Sequence, residues 1–165
     1  MNDQLKEALQ QNIENLTKEL SRFDDQRFNQ PPAAGGWTPA QIADHLLVIE
    51  RRTIKVLSGK TEIPEAGRTP DAHVAAMEAR LTDRINKIDA PPALVPSDRP
   101  KEKQELIDTL IAARQELINM VNQQDMHLLL PEFPHRLFGV LTGLEWTQFT
   151  ILHTNRHIEQ LKEIA

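Results

Sequence analysis

Apolar residues recur along this chain at the three- and four-residue spacing of a helix face. Leu5, Leu9, Ile13, Leu16, Leu20 and Phe23 form one such stripe and predict a first helix over about residues 3–23. The run Pro31-Pro32-Ala33-Ala34-Gly35-Gly36 then breaks the pattern. Thr38, Pro39 and Gln41 supply an N-cap, a first helical position and the return arm of a capping box, opening a second helix that runs to about Leu57. A shorter helical stretch starts at Thr69-Pro70-Asp71 and reaches about Ile88, where Pro91, Pro92 and Pro96 stop it. Leu106, Ile107, Leu110, Ile111, Leu117, Ile118 and Val121 mark a helix over about residues 100–123. After Pro131, Pro134 and Gly139, Thr142 with Glu145 three residues on forms a second capping box and begins the last helix.

No segment alternates as a strand does, so the expected fold class is all-α. Four long helices predict a four-helix bundle in one domain spanning residues 1–165. The connection of about forty residues between the second and third long helices is enough to return the chain to the end where it started, and carries the short extra helix. Those two helices then run parallel, and the topology is up-down-down-up.

Composition narrows the function classes. With 39% hydrophobic and 26% charged residues, and no apolar run near the ~20 residues of a membrane span, the chain reads as a water-soluble protein without a membrane partner. The N-terminus lacks a basic start followed by an apolar stretch, so the expected location is cytoplasmic. A net charge of −5 without a basic stripe argues against nucleic acid as a partner. Arg51-Arg52 reads as a solvated helix face. The absence of cysteine excludes thiolate ligands and a cysteine nucleophile, so thiol chemistry would need an external thiol.

Six histidines remain, and three of them share a direction. His153 and His157 stand one turn apart on the last helix, where one ion can bridge them. At about 100° per residue, Trp146, Phe149, His157, Gln160 and Ile164 lie within about 40° of His153, so this pair faces the bundle interior. Ile42, Val48, Ile49 and Val56 lie within about 60° of His45, placing that ring in an apolar stripe as well. In the expected topology His45 lies about 10 Å from the start of its helix and His157 about 10 Å from the end of its own, so the three meet at one level.

Three stretches carry a resemblance: Trp37-Thr-Pro-Ala-Gln-Ile-Ala-Asp-His45-Leu, His135-Arg-Leu-Phe-Gly139-Val-Leu-Thr-Gly-Leu-Glu-Trp146, and His153-Thr-Asn-Arg-His157-Ile-Glu-Gln160. They resemble the DinB-like superfamily, which also includes bacillithiol S-transferases and mycothiol-dependent maleylpyruvate isomerases. The likeness covers the whole chain, with specific motifs in residues 36–50 and 135–161. It implies an up-down-down-up bundle holding one divalent metal through three histidines, at positions matched by His45, His153 and His157. It also implies frequent dimers, so a homodimer is expected.

Three neutral imidazoles suit zinc or nickel, with iron or manganese as further occupants, and leave a position for water or substrate. The expected function is therefore a metal-dependent enzyme that transfers a low-molecular-weight thiol to a small electrophile, or hydrolyses a small molecule. The alternative is a non-catalytic, stress-related metal protein whose ion fixes the bundle. Gln160 and His135 are further candidates, the first to hydrogen-bond water or substrate, the second to reach the mouth of the site from its loop. Glu50, a possible general base, projects about 140° from His45 and is expected to point outward. His73 and His127 read as surface residues, and Trp37 and Trp146 as core anchors.

Overall fold

A computed structural model describes residues 2–85 and 91–164. It contains helices α1 (Asn2–Ser21), α2 (Asp25–Phe28), α3 (Pro39–Leu57), α4 (Val74–Thr82), α5 (Lys103–Gln123) and α6 (Gly143–Ile164), with one 3-10 turn at Pro92–Leu94. The two capping boxes form as the sequence predicts. Thr38 Oγ1 accepts the Gln41 N–H at 3.0 Å and Gln41 Oε1 accepts the Thr38 N–H at 2.9 Å. The Thr142–Glu145 pair repeats this at 3.1 and 2.9 Å. Each box satisfies two of the N–H groups that a helix start leaves without a partner.

Long-range contacts give the topology. Asn2 Nδ2 donates to Val121 O and Lys103 Nζ donates to Phe23 O, so α1 and α5 are antiparallel. Lys101 pairs with Asp44 and Arg114 with Glu50, so α3 and α5 run parallel. Thr53 meets Thr150 while His45 meets His153, so α3 and α6 are antiparallel. The order is up-down-down-up, in a four-helix bundle whose parallel pair α3 and α5 is joined by the long crossover.

The core forms two apolar clusters. One joins Ile13, Leu16 and Leu20 to Ile42, Leu46, Leu110 and Leu161; the other gathers Leu9, Val56, Met77, Leu117, Leu141 and Trp146 at the opposite end. Each fully buried leucine or isoleucine contributes about 1.5–3 kcal/mol. All six residues of the predicted α1 stripe are buried.

The structure corrects several expectations. The 24–37 loop contains α2, capped by Asp24, whose side chain accepts the Arg27 N–H at 2.7 Å. The crossover helix covers only Val74–Thr82, and its expected end at Ile88 lies outside the described residues. Glu50 does not point to solvent. It is 1% exposed and pairs with Arg114, because α3 is buried on two faces, one against α6 and one against α5. Val48, assigned to the inner stripe, is 38% exposed at its edge. His73 is no plain surface residue: its Nδ1 lies 3.1 Å from Oε1 of the fully buried Glu145, which also accepts from Arg68 at 2.8 Å. This carboxylate ties the start of the crossover to the start of α6.

Candidate metal centre

His45 is carried by the third turn of α3, and His153 and His157 by the second half of α6. Because the two helices are antiparallel, these positions come level. His153 Nε2 lies 3.4 Å from His45 Nε2 and 3.2 Å from His157 Nε2. One ligand atom from each ring lies within 4.8 Å of the other two, so the three could hold a metal ion. Nitrogens about 2.0–2.1 Å from one tetrahedral ion stand about 3.3–3.4 Å apart, close to the two separations found.

The outward nitrogens explain the orientation. His45 Nδ1 lies 2.8 Å from Leu94 O, on the 3-10 turn of the crossover, and His157 Nδ1 lies 2.9 Å from Gln160 Oε1. Both partners are acceptors in these bonds, so each Nδ1 carries the proton and each Nε2 turns a lone pair inward. Lone pairs converging in this way suit a cation. His153 differs, since its Nδ1 is buried with no partner while part of the residue remains accessible. Trp37 closes one side, its ring centre 5.0 Å from that of His45 and 6.2 Å from that of His157, stacked on the latter.

Burial lowers the pKa of all three imidazoles. His157 is pushed down to about 3 by desolvation and then by the nearby His45. Desolvation lowers His153 well below its ordinary value, followed by the charges of His157 and His45. For His45 desolvation again outweighs its bond to Leu94. The rings are thus neutral, as ligands must be. In an unfolded chain they titrate near pH 6.5, so between about pH 6.5 and 3 the unfolded state binds more protons. Urea midpoints of the metal-free protein are therefore expected to fall as pH is lowered from about 7.5 to about 5, and less steeply in His157→Gln. A midpoint that rises on acidification would contradict this assignment.

The other candidates fall in two places. Gln160 orients His157 through its Oε1. His135 is not among the converging nitrogens; it sits in the turn closed by its backbone bonds to Gly139, and its ring lies 4.6 Å from Phe149, which stacks on His153 at 5.4 Å. His127 is exposed. Trp146 is 1% exposed, a core anchor as expected, whereas Trp37 is half-buried and walls the cluster. The Leu94 carbonyl carries no side-chain signal, so its role was invisible in the sequence.

Comparison with known proteins agrees with this geometry. The chain is 30% identical over 153 residues to the uncharacterized protein YuaE of Bacillus subtilis (strain 168), with 88% of each chain covered. It is also similar in fold to TT2238, a four-helix bundle protein of known crystal structure, with a TM-score of 0.60 at 21% identity over 99% of both chains. A model of the DinB superfamily matches residues 8–161. The chain belongs to the DinB superfamily.

Proposed function

We propose that His45, His153 and His157 hold one divalent ion, zinc or nickel in preference to iron or manganese, and that the protein is a metal-dependent enzyme. It transfers a low-molecular-weight thiol to a small electrophile, or hydrolyses a small molecule. The observation that carries this reading is the convergence of three Nε2 atoms, two of them with their Nδ1 protons fixed by acceptors. Imidazole nitrogen suits these metals, and three neutral ligands leave coordination open.

Held by neutral ligands alone, the ion supplies Lewis acidity that raises the deprotonated fraction of a thiol or water near neutral pH. The chain's own part is to aim the ligands and limit access. Trp37 and the Leu94 turn cover His45 and His157, so approach is from the side where His153 is accessible. With no cysteine in the chain, the thiol must come from solution.

The test is a rate comparison. Zinc-loaded protein with bacillithiol, mycothiol or glutathione is expected to consume a haloaromatic or an epoxide faster than the thiol alone, and His153→Ala to lose that acceleration. Turnover without added thiol would assign hydrolysis instead. No acceleration of either reaction across a broad substrate panel would leave the ion a structural role.

A further inference from the structure

Along the antiparallel pair α3 and α6, the levels beyond the histidine cluster form a strip of mixed character. On α3 it carries Val48, 38% exposed, and the exposed Arg52; on α6 it carries Phe149, between His153 and Trp146. The Arg52 guanidinium lies 5.9 Å from the centre of the Trp146 ring. His135 closes the far end, its ring centre 4.6 Å from Phe149, 5.3 Å from Trp146 and 5.0 Å from Phe138. Since Phe149 stacks on His153 at 5.4 Å, ring contacts run without a break from the cluster to the far end. The seven residues from His45 to Arg52 set the length of the strip at about 10 Å.

The far end is built to receive an acceptor. The Leu137 N–H donates to His135 Nδ1 at 3.2 Å, so the neutral ring carries its proton on Nε2, for which the described residues offer no acceptor. Burial, and then the charge of Arg52, hold the pKa of His135 down at about 4, which keeps the ring neutral at physiological pH. Arg52 makes no ion pair among the described residues. At the cluster end the charges of Arg156 and Arg84 are also positive, while Asp44 near His45 is paired with Lys101 and Glu145 with Arg68. The strip is apolar in the middle and cationic at its end.

We propose that this strip is the substrate subsite of the metal centre and takes a small organic anion, its apolar or aromatic body over Phe149 and Val48 and its carboxylate held by Arg52 and the His135 Nε2–H. Charge-assisted bonds at one end orient the other end toward the histidines. The inference rests on reading His45, His153 and His157 as metal ligands, but its anion site belongs to other residues and can be tested apart from them.

The experiment is calorimetric titration of trans-cinnamate and its neutral amide into wild type, Arg52→Gln, Arg52→Lys and His135→Phe, each with and without zinc, with zinc content measured alongside. Wild type is expected to bind the anion about tenfold more tightly than the amide, Arg52→Gln and His135→Phe to lose most of that preference, and Arg52→Lys to keep part of it. Arg52 is exposed and His135→Phe preserves the aromatic packing, so these variants are expected to fold. The same preference is expected in metal-free protein. Equal binding of acid and amide by wild type, no binding of either, or a preference that survives in Arg52→Gln would overturn the proposal, the last because the carboxylate would then sit on the ion. A wild type that takes up no zinc yet shows the Arg52-dependent preference would sink the metal reading and leave the anion site standing.

Discussion

Replacing Arg114 with alanine is expected to destabilise the protein by about 3–5 kcal/mol, a large share of the 5–15 kcal/mol that holds a domain folded. Arg114 is 1% exposed, and its guanidinium serves three helices at once. Nε donates to Glu50 Oε1 at 2.9 Å and Nη2 donates to the same oxygen. Nη1 donates to Leu9 O and to Asn12 Oδ1, both at 2.8 Å. Asn12 continues the network to Asn155 Oδ1 at 2.8 Å, reaching α6. Removing the guanidinium would leave a buried carboxylate whose Oε2 already lacks a partner, together with two orphaned acceptors. Urea denaturation gives the value directly. The double variant Arg114→Met with Glu50→Leu, which removes both charges and refills the space, is expected to recover most of the loss. A single variant within about 1 kcal/mol of wild type would show that this network does not hold the four helices in register.

The second large effect is on metal. His153→Ala is expected to reduce bound zinc from one ion per chain to near zero while the fold persists. His153 is the informative choice because its Nδ1 makes no hydrogen bond, so removing it costs the bundle no polar contact. His45→Ala would also free the Leu94 carbonyl, and His157→Ala would free Gln160, so in those variants lost metal and lost structure are mixed. Gln160→Ala should weaken zinc about 10–100-fold without abolishing it, as expected when the partner that fixes a ligand's tautomer is removed. His127, exposed and away from the cluster, is the better control. His73 is a poor one, since it is bonded to the buried Glu145.

What the sequence disclosed depended on how local its cause was. The two capping boxes are four-residue devices, so Thr38 with Gln41 and Thr142 with Glu145 were legible in full. The histidine cluster needed two further steps, the one-turn spacing of His153 and His157 and the antiparallel register of α3 and α6, and both follow from apolar periodicity and the length of the crossover. Glu50 was misread because a projection onto one stripe assumes one buried face, whereas α3 has two neighbours, and the cation that stabilises Glu50 lies 64 residues away. Leu94 and His73 act through the crossover, where no helical period fixes position in advance. The ring contacts linking His135, Phe149 and His153 arise from a turn folding back on α6, which spacing alone does not encode.

X-ray absorption at the zinc edge, on protein purified without an affinity tag and loaded with one equivalent of zinc, tests the central claim most directly. A centre built from His45, His153 and His157 predicts three imidazole nitrogens at about 2.0–2.1 Å, with the outer-ring scattering of imidazole and one or more lighter-atom ligands completing the shell. In His153→Ala that spectrum should collapse to the one of zinc in buffer. A wild-type spectrum without imidazole scattering, or one unchanged by His153→Ala, would contradict it.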